Sequence, residues 1–293
     1  MAFQLLINGI SLGSVYALIA VGFAVVFSIL KFSNFAHGGM ISAAAYIAYF
    51  FQSSFSEKPS IFLTMLFTSI ACVFLALILD FLCYRNIRKR NSPSIYYFVA
   101  SITFAILIEQ ILTVAFGKSS FAIGRLFDTP SLKFLGANIP SMDAFMLAVS
   151  LVMLILLIFA MNKTKIGLAI RAVSINSRTA KLMGVNSSLI IIVTFAIAGF
   201  LAGVSGTLLA AKYSVYPTLG SSMIVKGFVA SELGGLGSLG GAIAAAILLG
   251  IIEVFLTFTI GSSVTPAVVF GIMLLFLFIR PQGLAGKFAK EKV

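Results

Sequence analysis

The side chains that could do chemistry are few and far apart in this chain of 293 residues. It contains one histidine, His37, and two cysteines, Cys72 and Cys83, which lie together in a later apolar run. A tetrahedral metal site needs about four ligands drawn from Cys, His and carboxylates, and these residues do not form such a set. The sequence therefore predicts no metal site and no cofactor bound by this chain.

Three short motifs resemble known chemical sites, but each lacks a part that its chemistry requires. Gly203–Gly206 reads Gly-Val-Ser-Gly, as in rhomboid intramembrane proteases, whose base lies on a later helix, whereas His37 precedes this serine. Gly235–Gly240 matches a dinucleotide-binding glycine pattern but opens an apolar helix without a preceding strand. Gly117–Ser119 resembles the end of a phosphate-binding loop, but Leu112 stands where the first glycine belongs. We predict that the chain is not an enzyme and that the glycines at 235–240 form a turn.

Three carboxylates, Glu109, Glu232 and Glu253, lie within or beside apolar stretches. A charged side chain inside a bilayer is costly, so it either marks a polar pathway or pairs with another group. The sequence leaves both interpretations open for each of the three. Glu232 joins the candidate pathway residues because it lies in a segment that we expect to be interrupted.

The elements that must position these residues are apolar helices. Hydrophobic residues make up 60% of the chain and charged residues 10%, and a helix needs about 20 apolar residues to cross a bilayer. Seven stretches without Asp, Glu, Lys or Arg reach or approach this length: Ala2–Leu30, Phe32–Ser56, Pro59–Leu79, Ala144–Asn162, Leu182–Ala211, Leu233–Ile252 and Val254–Ile279. We predict an all-α, polytopic helical membrane protein with about 8–9 spans, forming one transmembrane domain over residues 1–293.

The net charge of +12 indicates orientation in the membrane rather than nucleic-acid binding, because cytoplasmic loops are enriched in Lys and Arg. The cations cluster in three places: Arg85, Arg88, Lys89 and Arg90; Lys163, Lys165, Arg171, Arg178 and Lys181; Arg280, Lys287, Lys290 and Lys292. Placing all three in the cytoplasm puts the N-terminus outside. The spans then alternate: Ile61–Tyr84 inward, Ile95–Phe116 outward, Ala144–Met161 inward and Ser188–Tyr213 outward. Aromatic belts are expected at both interfaces, with Tyr84, Tyr96 and Tyr97 inside, and Tyr213 and Tyr216 outside.

Two interruptions are predicted in this bundle. Only two obvious spans, Ala242–Thr259 and Val264–Ile279, follow Tyr213, yet a cytoplasmic tail requires an odd number of crossings. The missing crossing must lie in Leu219–Leu236, whose glycines and charges favour a broken, partly re-entrant segment. A second break is expected at Lys31–Gly39. Interrupted backbone at membrane depth lines a cavity or packs inside protein, so the two breaks indicate a central pathway.

Small residues recur at helical spacing and indicate close helix contacts. They occur as Gly9-x-x-x-Gly13, as Gly199-x-x-x-Gly203 followed by Gly206, and as Ala242, Ala246 and Gly250. We favour packing within the chain over a seam between two copies.

The segment Asn162–Asn186 carries five cations and no anion. Arg171, Arg178 and Lys181 would share an arc of about 80° if the segment were one continuous helix. A loop that needed only positive charge would not require this length or order. We therefore predict that the segment docks onto another protein, the alternative being a solvated basic loop.

Four strings of residues carry a resemblance to a known family: Asn8–Leu18, Asn34–Gly38, Arg178–Val185 and Leu233–Ala242. The second reads Asn-Phe-Ala-His-Gly, and the fourth reads Leu-Gly-Gly-Leu-Gly-Ser-Leu-Gly-Gly-Ala. Over nearly its whole length the chain resembles the permease subunits of branched-chain amino acid ABC importers. Closely similar permeases import urea and short amides, so these substrates are the nearest alternative.

The resemblance implies a multi-pass half-transporter in the bacterial inner membrane. Two permease subunits, usually this one and a related longer permease, would form the pore as a heterodimer. Two ABC ATPase subunits would bind from the cytoplasm and use the ATP, and an extracytoplasmic solute-binding protein would deliver a branched-chain amino acid or a similar small zwitterion. Membrane lipid surrounds such a protein, and no nucleic acid is expected. A stand-alone channel or ion-coupled carrier, using Glu109 and Glu253, is the alternative from another class.

Two sets of candidate site residues follow. Unpaired backbone groups at the interruptions could bind a zwitterion, which predicts a substrate pathway at Asn34, Phe35, His37, Gly38, Glu232, Gly235 and Gly237. The resemblance identifies the cytoplasmic segment as the part that couples to the ATPase, with Gly167, Arg171, Ala172, Arg178, Ala180, Lys181 and Gly184.

Overall fold

The computed structural model of the chain describes residues 2–55, 59–90, 92–123, 131–134, 137–235, 237–280 and 283–285. Its helices are α1 (Ala2–Leu30), α2 (Ala36–Ser53), α3 (Ile61–Leu79), a π-helical turn (Asp80–Tyr84), α4 (Arg85–Lys89), α5 (Ser94–Phe116), α6 (Ser141–Lys163), α7 (Lys165–Ile175), α8 (Ser177–Leu182), α9 (Ser187–Lys212), α10 (Leu219–Gly234), α11 (Leu239–Ile260) and α12 (Thr265–Ile279). Two short strands, β1 (Ser131–Phe134) and β2 (Ala137–Pro140), pair antiparallel. The predicted helical class is confirmed, with this hairpin as an addition.

Within the described residues, six helical segments are long and apolar enough to cross a membrane: α1, Ile61–Lys89, α5, α6, α9 and α11. Helices α2, α10 and α12 are shorter, with 18, 16 and 15 residues. The described part of the chain thus has nine helices of at least 15 residues, in agreement with the predicted number of spans. The protein is a multi-pass membrane protein.

Polar caps mark the beginnings of several helices. The Ser60 hydroxyl accepts a hydrogen bond from Leu63 N at 3.3 Å before α3, and the Asn186 side chain accepts one from Leu189 N at 3.2 Å before α9. Each cap pairs a backbone N–H that the first helical turn leaves free. These caps determine where α3 and α9 begin.

The interruption predicted near 31–39 is confirmed between Leu30 and Ala36. Lys31 ends α1 with φ of 55°, in the left-handed region that stops a helix. The interruption predicted in 219–236 is placed differently. Helix α10 runs unbroken from Leu219 to Gly234, and the breaks lie on either side of it, before Leu219 and after Gly234. At about 1.5 Å per residue, α10 is about 24 Å long.

The chain folds into two compact units. Unit 1 comprises Met1–Ala24, Thr129–Leu154 and Lys226–Val293, and unit 2 comprises Val25–Asp128 and Ile155–Val225. Helices α1, α6 and α10 contribute residues to both.

In unit 1, α1 packs closely against α11. A Cβ atom added to Gly9 would lie 2.7 Å from Ile251 Cα, and one added to Gly250 would lie 2.4 Å from Gly13 N. A side chain at either glycine would therefore force two helix backbones apart. The prediction that these small residues pack within the chain is confirmed.

In unit 2, glycines likewise allow α9 to pack closely against α3 and α2. A Cβ atom on Gly203 would lie 2.3 Å from Ser69 Cα, and one on Gly206 would lie 2.8 Å from Ile41 O. The serine between these glycines, Ser205, donates its hydroxyl hydrogen bond to Leu201 O at 2.8 Å within its own helix. The protease-like motif is thus part of a helix contact.

Candidate functional site

The interruption between α1 and α2, in unit 2, is held by side chains of two other elements. The Tyr84 hydroxyl donates a hydrogen bond to Asn34 Oδ1 at 2.8 Å, and Phe35 N donates one to Ser101 Oγ at 3.2 Å. The predicted place of Tyr84 in the inner aromatic belt is wrong, because its side chain is fully buried. Its ring packs edge-on against Phe32, with 5.3 Å between the ring centres.

Buried polar atoms at this interruption lack partners. Asn34 Nδ2 and both ring nitrogens of His37 form no hydrogen bond to any described residue, and both side chains are fully buried. A buried polar group without a partner costs about 1–3 kcal/mol. A ligand or an ordered water that reached these atoms would offset that cost.

Gly38 lies where α2 meets the first turn of α10 in unit 2. A Cβ atom on Gly220 would lie only 1.9 Å from Gly38 O, and one on Gly38 would lie 2.8 Å from Ile224 Cγ2. Gly220 N donates a hydrogen bond to Ser42 Oγ at 2.8 Å. The glycine of the Asn-Phe-Ala-His-Gly string is therefore needed for close helix approach.

Glu109 and Glu253 each have partners. In unit 2, Glu109 accepts a hydrogen bond from the Ser221 hydroxyl in the first turn of α10. In unit 1, Glu253 Oε1 lies 2.5 Å from Lys226 Nζ, and Glu253 Oε2 accepts a hydrogen bond from the Tyr16 hydroxyl at 3.1 Å. Lys226 also donates to the Tyr16 oxygen at 2.8 Å. Of the two interpretations left open by the sequence, pairing is the one that these contacts support.

The second group of predicted pathway residues lies at the end of α10, in unit 1. Gly235 and Gly237 have φ of 96° and 88°, which confirms the predicted turn before α11. Glu232 is half-buried, and its carboxylate contacts no hydrogen-bonding partner among the described residues.

The backbone carbonyls at this end of α10 are not free. Leu284 N donates to Leu233 O at 2.6 Å, and Ala285 N donates to Gly234 O at 3.2 Å. A helix leaves its last carbonyls unpaired, and here the short stretch at 283–285 binds two of them. The expectation that unpaired backbone at this break binds a ligand is therefore not supported, and the predicted role of the residues at 232–237 stays a prediction.

The predicted docking segment begins with a sharp turn in unit 2. Thr164 Oγ1 accepts a hydrogen bond from Gly167 N at 3.1 Å, and a Cβ atom on Gly167 would lie 2.2 Å from Met161 O. The Arg171 guanidinium donates to the same Met161 carbonyl. Ala172 is half-buried beside it. These contacts fix α7 to the end of α6.

The segment is two helices rather than one. Asn176 ends α7 and caps α8, since its side-chain oxygen accepts from Arg178 N and Thr179 N at 3.0 Å each. Ala180 is buried, whereas Arg178 and Lys181 are exposed. Because the helix breaks at Asn176, the common arc that the sequence suggested for the three cations does not form.

Apolar side chains at the ends of α7 and α8 form a feature that the sequence did not predict. Ile175, Leu182 and Met183 are 87%, 84% and 81% exposed. They lie in a segment that carries five cations and no anion, and that contrast was the available signal. Gly184 follows with φ of 87° and no atom within 4 Å of an added Cβ. Exposed apolar residues rimmed by charges indicate a protein contact.

Comparison with known proteins covers the interruptions and the two helices of the predicted docking segment. A family model described as the branched-chain amino acid transport system permease component matches residues 5–278. The chain is 31% identical to the high-affinity branched-chain amino acid transport system permease protein BraD of Pseudomonas aeruginosa, over 99% of this chain and 97% of that protein. It is 29% identical, with the same coverage, to the corresponding protein LivH of Salmonella typhimurium. Its fold is similar to that of PsaBC from Streptococcus pneumoniae, solved in complex with Fab, with a TM-score of 0.53 at 15% identity over 95% of this chain and 91% of that one.

Proposed function

The chain belongs to the family of branched-chain amino acid transport system permease components, and we propose that it is the membrane-spanning subunit of an ABC importer for leucine, isoleucine and valine. The observation that carries the proposal is the family match over residues 5–278. The names of BraD and LivH give the same substrate class. The energy would come from separate ATPase subunits.

The first interruption supplies polar atoms for a zwitterionic substrate. The unpaired nitrogens of Asn34 and His37 are buried, and a charged amino acid needs polar partners at membrane depth. We therefore assign substrate contact to the stretch Asn34–Gly38. Gly38 would set the approach of the neighbouring helix, and Phe35 would supply apolar surface for the branched side chain.

Replacing His37 by leucine separates a substrate role from a packing role. The change removes two unpaired buried nitrogens, so the thermal stability of the purified protein should hold or rise. Leucine uptake should fall about tenfold, since losing about 1.4 kcal/mol of contact energy has that effect. Tyr46→Phe is the matched control, because Tyr46 also lies on α2 and its buried hydroxyl also lacks a described partner. Normal uptake by the His37→Leu protein would refute the assignment.

The two cytoplasmic helices α7 and α8 would bind the ATPase. Ile175, Leu182 and Met183 would fill an apolar groove on the partner, with Arg178 and Lys181 at its rim. Exposed apolar area of this kind in a water-facing segment is unfavourable unless a partner covers it. The open conformation at Gly184 lets the partner approach the backbone between α8 and α9.

Gly184→Ala tests this coupling, and Gly117→Ala is its control. Both glycines have positive φ, 87° and 75°, and both have open space around an added Cβ. Gly117 has ψ of −169°, a conformation that only glycine adopts readily, so alanine is strained at Gly117 as well as at Gly184. Only Gly184→Ala should lower leucine uptake while the protein remains folded and ATP hydrolysis becomes independent of substrate. Equal uptake by the two variants would contradict the docking role.

The remaining partners follow from the proposal. A second permease subunit, related but longer, would complete the pore, two ATPase subunits would bind from the cytoplasm, and an extracytoplasmic binding protein would deliver the amino acid. The assembly would lie in the bacterial inner membrane, with this chain as one transmembrane domain. Purification of the tagged chain in mild detergent should recover a P-loop ATPase, and its absence from the complex would count against the proposal.

Competition distinguishes the substrate classes. In cells that lack the chain and are complemented with it, excess isoleucine or valine should block leucine uptake, whereas urea and acetamide should not. A stand-alone ion-coupled carrier would stop when an ionophore collapses the ion gradient. The ABC importer should continue as long as ATP is present. The pairing of Glu109 with Ser221, and of Glu253 with Lys226, favours the importer.

A further inference from the structure

A wide groove opens in unit 2 where the inner end of α3 meets the beginning of α9. It has a volume of about 1210 Å³ and is lined by the π-helical turn, α4, α8 and the first residues of α9. A volume of this size exceeds that of most small-ligand pockets. The groove is not enclosed, so a large ligand could enter it.

The polar half of the groove is strongly cationic. Five basic side chains line it: Arg85, Arg88, Lys89, Arg178 and Lys181. Among the described lining residues, the single carboxylate is that of Asp80, which is already bound by Arg88 at 2.6 and 3.1 Å. Four basic groups are thus left without an acidic partner in the lining. An anion entering the groove would neutralise part of this charge.

The N-terminus of α9 adds partial positive charge to the same place. Ser187 and Ser188 line the groove, and they are the first two residues of a 26-residue helix. The first intrahelical backbone bond here runs from Ile190 N to Asn186 O, so the N–H groups of both serines precede the helical ladder. The start of a long helix favours a bound phosphate group.

The other half of the groove is apolar and continuous with the membrane-spanning surface. Leu77, Phe81, Ile191 and Ile192 line it. Phe81 is 61% exposed and Ile192 is 45% exposed, although both belong to long apolar spans. A free phosphate ion would make no favourable contact with this apolar surface, whereas an acyl chain would cover it.

We propose that this groove binds an anionic phospholipid of the inner leaflet, with its phosphate at Arg85, Lys89 and the start of α9 and its acyl chains along Phe81 and Ile192. Basic pockets between membrane helices on the cytoplasmic side are suited to such headgroups. The proposal rests on the cytoplasmic placement of α7 and α8 given above. Since α8 lines the groove, a bound lipid would also fix the position of the docking helices relative to α3.

Native mass spectrometry of the purified full-length chain tests this site. The chain in detergent is titrated with phosphatidylglycerol and, separately, with phosphatidylcholine of the same acyl chains. The test variant is Arg85→Gln/Lys89→Gln, which removes two groove cations that neither bind Asp80 nor belong to the docking set. The control is Lys163→Gln/Lys165→Gln, which removes the same charge beside α7 but outside the groove lining. A melting curve of each variant confirms that it is folded.

The wild-type chain and the control should prefer phosphatidylglycerol to phosphatidylcholine. The test variant should bind phosphatidylglycerol about 30-fold more weakly, as the loss of two cations at an anionic headgroup predicts. An equal loss in both variants, or no preference for phosphatidylglycerol, would overturn the proposal. So would displacement of the lipid by an equal concentration of inorganic phosphate, which would show a simple anion site. Weaker binding of the ATPase to the test variant with unchanged lipid binding would assign the groove to that protein instead. None of these measurements requires transport, so a failed uptake assay leaves them interpretable.

Discussion

Replacing Gly220 by alanine should force α2 and α10 apart at the first interruption. The added Cβ would lie 1.9 Å from Gly38 O and 2.7 Å from Ser42 N, whereas ordinary van der Waals contact begins at 3.4 Å. Both neighbours are backbone atoms, so no change of side-chain rotamer can relieve the overlap. One of the two helices must therefore move by about 1.5 Å, the difference between ordinary contact and the shorter distance.

This displacement has a calculable cost. It breaks the 2.8 Å hydrogen bond from Gly220 N to Ser42 Oγ, worth about 0.5–1.5 kcal/mol. Overpacking of a close contact adds about 1–3 kcal/mol. Alanine regains at most about 1 kcal/mol through helix propensity. The free energy of unfolding should therefore fall by about 2–3 kcal/mol.

The chain contains its own probe for this measurement. Cys72 is fully buried, and its Sγ lies 3.7 Å from Met40 O of α2. In a Cys83→Ala background, a thiol-reactive dye would report unfolding through Cys72 alone as the protein is heated in detergent. Gly271→Ala is the control, since Gly271 lies inside α12 with no atom within 4 Å of an added Cβ. Gly271→Ala should melt slightly higher than the parent and Gly220→Ala several degrees lower, and a Gly220→Ala protein that melts with the control would refute this reasoning.

Three further substitutions have expected outcomes. Tyr84→Phe removes the hydrogen bond to Asn34 and should destabilise the protein by about 1–3 kcal/mol, measured by the same melting assay, whereas an unchanged melting curve would mean that water replaces the hydroxyl. Lys226→Met leaves Glu253 without its cation and should cost about 3 kcal/mol, most of which Lys226→Met/Glu253→Leu should restore; a double variant as unstable as the single one would contradict the pairing. Gly167→Ala should disturb the turn between α6 and α7 and lower leucine uptake at temperatures at which the protein is still folded. Uptake that falls only in proportion to the folded fraction would argue against a coupling role.

The bounds of the long helices were predictable because a bilayer imposes a strong constraint on sequence. A spanning helix must be long, apolar and internally hydrogen-bonded, so the charge-free runs and the cation clusters mark its ends. Ser94–Phe116 and Thr265–Ile279 differ by a single residue at one end from the predicted Ile95–Phe116 and Val264–Ile279. For these two helices, the residue types near the membrane interfaces were sufficient to predict where each helix begins and ends.

Helix α10 could not be predicted as continuous, because its support is tertiary. Its lysine is bound by Glu253 and Tyr16, and Gly227 packs against Ile19, with 2.5 Å between an added Cβ and Ile19 Cγ2. Locally, glycines and charges disfavour a helix in lipid. The contacts to α1 that reverse this preference join residues more than 200 positions apart, which no window of sequence can show.

The geometry of the first interruption could not be predicted for the same reason, because it depends on residues that are distant in the sequence. The Asn-Phe-Ala-His-Gly string identified the first interruption, but nothing in it indicated that Tyr84 holds Asn34 or that the ring of His37 is buried without partners among the described residues. Tyr84 follows an apolar run and precedes the first cation cluster, which is the usual position of a belt residue. Its burial depends on the neighbours that α5 and α9 bring to it, Tyr97 and Phe195.

The two helices that are predicted to dock, α7 and α8, are attached at their two ends to two membrane helices. At one end, the Arg171 guanidinium and the tight turn at Gly167 bind α7 to the last carbonyls of α6. At the other end, the Ser187 hydroxyl donates to Ser177 O at 3.2 Å and ties α8 to the start of α9. A rigid helix moves as a body, whereas a loop of this length would absorb a small displacement. The proposed coupling role therefore depends on the contacts at both ends of the pair, whereas the exposed cations of α8 contribute to neither attachment.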